Sequence, residues 1–163
     1  MPPDVSCQKM NIRRHKVGEE DEIRKLYCDT TRNINGKDYT QAQVERWIQR
    51  AMGDETWNER VKQKNPFVAE EGGKIVGFGE LDADGHIDKF YCHHEWQRKG
   101  VGRLLYGAIE EEARRTGIGR LYLESSVTAK DFFASRGFQV VEEENNLICG
   151  AIAKRYRMQK MIS

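Results

Sequence analysis

The chain has 163 residues, of which 38% are hydrophobic and 33% charged, with a formal net charge of +1. That length favours one domain with a sizeable core, and the near-zero charge gives no global field to draw in nucleic acid or an anionic membrane. The N-terminus lacks the apolar core of a signal peptide, and the longest apolar run, Leu147 to Ala153, is too short to span a bilayer.

Taken in order, Met10 to His15 suits a first strand. Glu19 to Thr31 reads as a helix with Ile23, Leu26, Tyr27 and Thr30 on one face. Gly36-Lys37-Asp38 breaks the pattern. Thr40 suits the N-cap of a second helix carrying Val44, Trp47, Ile48 and Ala51. A short amphipathic piece around Trp57 and Val61 follows, with Pro66 just beyond it. Phe67 to Glu71, Gly72-Gly73 and Lys74 to Phe78 form a hairpin signal. Asp84-Gly85 is a second one, read as a tight type I′ turn joining Gly77–Asp82 to His86–Cys92. A long helix runs from about Gly100 to Thr116, with Val101, Leu104, Leu105, Ala108, Ile109 and Ala113 as its apolar stripe. Leu121 to Ser125 is a strand. Thr128 to Arg136 is a short helix stopped by Gly137. Phe138 to Val141 and Ile148 to Met161 are the last strands. The order predicts an α+β (mixed α/β) layered domain around one central sheet, with local parallel pairing between residues 86 and 141.

Cys7, Cys28, Cys92 and Cys149 form no C-x-x-C pair, and Cys28 and Cys92 fall inside regular elements. A reducing cytoplasm fits better than a disulfide framework. His93-His94-Glu95 lacks the usual metal-ligand spacing and is read as a strand-to-loop segment, so no metal is expected.

The most informative stretch is Gln97-Arg98-Lys99-Gly100-Val101-Gly102. A strand feeding a Gly-rich loop that opens a helix gathers backbone N–H groups at the positive helix end, a site for a phosphate-bearing ligand. Arg98, Lys99 and Arg103 oppose the helix dipole there unless an anion joins them. The six residues fit Gln/Arg-x-x-Gly-x-Gly/Ala, the pyrophosphate signature of the GCN5-related N-acetyltransferases. Phe90 to Gly102 resembles that family's strand-plus-loop block, and Ala129 to Phe138 resembles its second signature, a helix ending in Gly-Phe. Phe67 to Leu81 is similar to its central hairpin. Within the family the chain looks most like a bacterial branch of the YafP type.

The resemblance implies a single N-acetyltransferase domain over residues 1–163. Its parts are an N-terminal strand and acceptor-side helices (10–65), an acetyl-CoA-binding core (67–141) and a C-terminal strand (147–161). The implied sheet is twisted, mixed but mostly antiparallel, of about seven strands with helices on both faces. The implied activity is acetyl transfer from acetyl-CoA to a primary amine of a small molecule or peptide by direct, base-assisted attack. The competing function is a non-catalytic acyl-CoA-binding module on the same fold. The expected partners are acetyl-CoA and an amine acceptor, with no nucleic acid and no membrane; a homodimer is left open.

Residue by residue, the loop Gln97 to Arg103, including Val101, is expected to hold the CoA phosphates. Phe90, Tyr91 and Cys92 are expected to offer a strand edge to the pantetheine, with an N–H of Cys92 or Tyr91 facing the oxyanion. An alkyl ammonium has a pKa near ~10, so only about one molecule in a thousand is neutral at pH 7 and a base is needed. His86 matches the position of the base in the family's histone-acetylating branch. Asp88, on the same strand face, could orient it; Glu80 and Glu124 are alternatives. The chain departs from the family twice. Phe133 stands where a tyrosine commonly protonates the CoA sulfur, and Ser126 stands where an asparagine commonly binds the pantetheine. Tyr122 and Tyr156 are the substitute proton donors considered. The segment carrying Tyr27, Asn33, Tyr39, Trp47 and Trp57 is expected to wall the acceptor site.

Overall fold

The structure, a computed structural model, describes residues 10–33, 39–148 and 151–162. Gly36-Lys37-Asp38, Cys7 and Cys149 lie outside the described residues. The chain runs β1 (Asn11–Arg14), α1 (Glu20–Asn33), α2 (Gln41–Met52), α3 (Trp57–Lys64), β2 (Phe67–Glu71), β3 (Lys74–Leu81) and β4 (Ile87–Cys92). After a short 3₁₀ turn at His94–Trp96 come α4 (Val101–Arg115), β5 (Arg120–Ser126), α5 (Lys130–Ser135), β6 (Gln139–Ile148) and β7 (Ala151–Met161).

The helices begin and end where their sequences supply the chemistry. Three acids, Glu20, Asp21 and Glu22, occupy the first turn of α1, where the helix dipole favours them. A full capping box starts α2: the Gln43 N–H donates to the Thr40 hydroxyl, and the Thr40 N–H donates to the Gln43 side chain. Asn65 ends α3 in the left-handed conformation, φ 46°, and its N–H donates to the Val61 carbonyl.

The expected seven strands are present, and their hydrogen bonding divides them. β1-β2-β3-β4 form one antiparallel ladder and β5-β7-β6 another. Between them, among the described residues, stands a single parallel bridge, His86 to Tyr122. One further bond supports it, the Tyr122 N–H donating to the Gly85 carbonyl. Beyond that point β4 and β5 part, and among the described residues the Phe90–Cys92 end of β4 has no second strand beside it, its Cys92 carbonyl accepting instead from the side chains of Thr30 and Gln97.

Apolar layers cover both faces. On one, α1 to α3 bury Ile23, Leu26, Val44, Ile48 and Trp57 with Phe78 of β3. On the other, Tyr106, Ile109 and Ala113 of α4 pack with Leu121, Leu123, Phe133, Phe138 and Met158. Ile109 and Leu105 are completely buried, worth about 1.5–3 kcal/mol each. Leu104, counted in the α4 stripe from its spacing, lies at the surface.

Two sequence expectations need correction. The Asp84-Gly85 turn is not type I′, which needs positive φ at both central residues; only Gly85 has it, at 98°. Instead the Gly85 N–H donates to the Asp82 carbonyl and the Asp82 N–H to the His86 carbonyl. This is the three-residue loop in which a left-handed glycine follows a tight turn. The other correction is the penultimate strand, expected to stop at Val141, which runs to Ile148, so the last strand, expected from Ile148, starts at Ala151. Its second half, Glu142-Glu143-Glu144-Asn145-Asn146, carries no hydrophobic alternation to betray it. It is held by ladder bonds and cross-strand ion pairs: Glu142 with Arg157, Glu143 with Lys154, and Glu144 with Arg155.

Candidate functional site

The parting of β4 and β5 opens a cleft of about 680 Å³. At one end lies the loop into α4. Gly100 caps that helix at φ 86° without any side-chain cap, and Arg98 precedes it at φ 63°. A non-glycine residue rarely holds a positive φ. The first-turn N–H groups of α4 therefore have no side-chain acceptor and point to where an anion can sit. Gly102 gives the close approach. A Cβ there would stand 3.0 Å from the Phe132 ring and 3.6 Å from the Cys92 sulfur.

Most of the loop and strand residues expected to bind a ligand line this cleft: Phe90, Tyr91, Cys92, Gln97, Arg98, Gly100, Gly102 and Arg103, with Ser126 and Phe133 from the other side. Lys99 and Val101 do not. Lys99 places its ammonium 5.1 Å from the centre of the Trp96 ring, and Val101 is buried against Ala69 and Val76. The Gln97 side chain turns back, donating to the Cys92 carbonyl at 2.9 Å, so it braces the strand end. Ser126 accepts from the Ala129 N–H at 3.2 Å, which fixes the turn into α5. Phe133 is 3% exposed, and its ring sits 5.1–5.5 Å from those of Phe90, Phe132 and Phe138.

Backbone direction separates Cys92 from Tyr91. The His93 N–H donates to the Val76 carbonyl of β3. Along a strand these groups alternate sides, so the Tyr91 N–H also faces β3, whereas those of Phe90 and Cys92 face the open slot. Burial pushes the Cys92 thiol up to about 12, so it is no nucleophile at neutral pH. Burial and the Tyr27 phenol push the Tyr91 hydroxyl well above its ordinary range.

At the other end of the cleft the β3–β4 turn and β5 gather acids. Asp88 and Glu124 line the cleft; His86 and Glu80 do not. His86 Nε2 lies 2.8 Å from Glu124, and its Nδ1 lies 3.5 Å from Asp82. The expected pairing of His86 with Asp88 is replaced by these two contacts. Asp88 instead meets Lys64 of α3 at 3.0 Å, and Lys64 also holds Asp82 at 2.7 Å. Glu80 is 2% exposed, its Oε1 has no hydrogen-bond partner, and Lys89 is 3.7 Å away. It sits where the β3–β4 register shifts, an irregularity that re-aims side chains. Burial above all, and then Asp88 and Asp82, push its carboxyl up to about 7 against the pull of Lys89 and Lys64.

Of the aromatic residues expected to wall the acceptor side, Tyr39 and Trp47 reach the cleft, edge to face at 5.8 Å. Tyr27 and Trp57 are core residues, and Asn33 bonds back to Asp29 within its own helix. Tyr122 and Tyr156 are absent from the lining; Tyr122 donates to Asp84, and Tyr156 packs under Lys130. His93, His94 and Glu95 do gather, with ligand atoms within 4.8 Å of one another. Yet His93 Nδ1 already accepts from the Glu95 N–H at 3.0 Å, and the two rings are stacked. Sequence reasoning did not single out Thr30, Asp131, Phe132 or Arg155 as lining residues. Arg155 lay in a recognised basic run, but its strand face depended on the register of β7 with β5.

Comparison with known proteins bears on the fold that carries this cleft. Residues 35–158 match the family described as "Acetyltransferase (GNAT) domain". The chain is 25% identical to the uncharacterised N-acetyltransferase YafP of Escherichia coli K12, over 92% of this chain and 95% of that one. Its fold superposes on a GCN5-related N-acetyltransferase from Rhodopseudomonas palustris with a TM-score of 0.88 at 25% identity, covering 94% of this chain and 96% of that chain. It also superposes on the PaiA N-acetyltransferase of Thermoplasma acidophilum, solved with coenzyme A, with a TM-score of 0.76 at 17% identity, covering 94% and 99%.

Proposed function

This chain belongs to the GNAT acetyltransferase family, and from that premise we propose that it moves the acetyl group of acetyl-CoA onto a primary amine of a small molecule or peptide. The observation that carries the proposal is the uncapped N-terminus of α4 behind Gly100, opening on the same cleft as the free edge of β4. In this reading the pyrophosphate sits on the α4 amides, supported by Arg98 and Arg103. The pantetheine amides pair with the β4 edge, as a strand would. The Cys92 N–H meets the thioester oxygen and steadies the charge that develops there.

The acceptor enters past Tyr39 and Trp47 toward the acidic end. Asp82, Asp84, Asp88 and Glu124 there outnumber Lys64 and Lys89. An excess of carboxylates concentrates an ammonium ion. The proton leaves through this cluster, in which His86, Asp88 and Glu80 are the groups expected from sequence. Among the described residues Cys28 and Cys92 are free thiols, which suit a reducing cytoplasm. No helix of the described residues is long and apolar enough to cross a membrane.

Phe133 favours one other reading. It has no proton for the CoA sulfur, which suits a module that binds acyl-CoA without turnover. A thiolate with a pKa near ~8.5 leaves without an acid, so catalysis remains our preference. Adding acetyl-CoA to the protein with a panel of primary amines tests it. Free thiol released only with an amine supports transfer. Thermal stabilisation by acetyl-CoA without thiol release from any amine supports the binding module.

A further inference from the structure

Resting on that acetyl-transfer reading, we propose that Glu124 takes the proton from the acceptor nitrogen, and that His86 is a positioning residue that holds Glu124 from behind. Position decides between the candidates. Glu124 lines the cleft and His86 does not. Both ring nitrogens of His86 are turned to carboxylates, Nε2 to Glu124 and Nδ1 to Asp82. Asp88 also lines the cleft, but Lys64 sits on it at 3.0 Å. Burial would raise the Asp88 carboxyl; Lys89 and Lys64 overcome this and hold it below its ordinary value, which makes it a weak base. Glu80 is sealed behind the cleft wall.

His86 is fixed tightly enough to orient a partner. Its backbone makes the bridge that joins the two ladders among the described residues, and its N–H donates to Asp84 Oδ1 at 3.1 Å. Its ring lies on that of Tyr122 at 4.8 Å, nearly parallel, and the Tyr122 hydroxyl donates to Asp84. The imidazole thus stands at the fork where β4 and β5 separate and engages one oxygen, Oε1, of the cleft-lining Glu124. From β7, Arg157 lies across from Glu124 and Arg155 across from Ser126. Each bonds a β6 carboxylate, Glu142 and Glu144.

The step balances as follows. The acceptor ammonium gives one proton to Glu124, which returns it to solvent. The freed nitrogen pair forms the N–C bond, and the C–S bond breaks with its pair on sulfur. The remaining surplus nitrogen proton ends on the thiolate through water, so one proton is released per turnover.

The test compares Glu124→Gln, His86→Gln and His86→Ala in the full chain. The readouts are kcat, KM, the pH profile of kcat/KM and the acetyl-CoA-induced melting shift. Glu124→Gln is expected to lower kcat by roughly 10²–10⁴, to abolish the acidic limb of the profile and to leave the acetyl-CoA shift intact. His86→Ala should lower kcat less and displace that limb, and His86→Gln, which keeps a donor near Nε2, should recover part of the loss. Near-normal turnover in Glu124→Gln with an unchanged limb overturns the assignment, as does a larger loss in His86→Ala than in Glu124→Gln. No acetyl-CoA shift in the unmodified protein overturns the acetyl-transfer reading itself.

Discussion

Glu80 makes the most exacting prediction, because its burial couples stability to pH. In the fold its carboxyl titrates near 7, against an ordinary value of 4.5. A carboxyl raised in the fold costs nothing at low pH, where both states hold the proton. As pH rises through 4.5 the unfolded chain ionises first, so stability falls until the folded carboxyl also ionises near 7. At 1.36 kcal/mol per tenfold the full cost is about 3 kcal/mol, roughly 1 kcal/mol of it present at pH 5 and essentially all at pH 8. Glu80→Gln removes the ionisation and keeps the shape. Relative to the unmodified protein it should therefore gain about 2–2.5 kcal/mol between pH 5 and pH 8. For a chain of this size that is roughly 5–10 °C in Tm. Thermal unfolding of both proteins at both pH values, without ligand, measures it. A variant whose Tm offset is the same at pH 5 and pH 8 refutes the reasoning, whatever its absolute stability.

Acetyl-CoA at 100 times its Kd should add about 2.7 kcal/mol of stability, and Gly100→Val should abolish that gain, because a branched side chain is strained at φ 86° and crowds the phosphate approach. Gly85→Ala should lower Tm by several degrees, since its Cβ would lie 2.0 Å from the Arg120 carbonyl oxygen at φ 98°; an unchanged melt would mean the fork between β4 and β5 is looser than described. Phe133→Ala should cost about 3–5 kcal/mol, read by denaturant titration. Phe133→Tyr should keep the acetyl-CoA shift with turnover level or higher, and loss of that shift would show that this ring does not lie beside the sulfur.

Much of this protein was legible in its sequence because the signals are local. The apolar stripe on α4, the cap at Thr40 and the Gly-x-Gly loop each depend on residues a few positions apart, so spacing identified them, with the exposed Leu104 wrongly included in the stripe. The α4 end of the cleft, where we propose that the CoA phosphates sit, is built from one strand, one loop and one helix in sequence. The Asp-Gly turn was found, but its type was not, since Asp84 keeps an ordinary φ while Gly85 alone turns left-handed. The second half of β6 was missed because cross-strand ion pairs hold it, and a strand's partner cannot be read from its own alternation. The acidic end of the cleft was decided only by tertiary structure. His86 and Asp88 share a strand face in the sequence pattern, yet Lys64, brought in by α3, takes Asp88, and Glu124, 38 residues along the chain, takes His86. That exchange exists because β4 and β5 meet at one bridge and then diverge. The sequence by itself determined most of the elements and the uncapped glycine start of α4; the meeting of two ladders decided which charged groups face each other across the cleft, since such pairing depends on distances that only the packed chain sets.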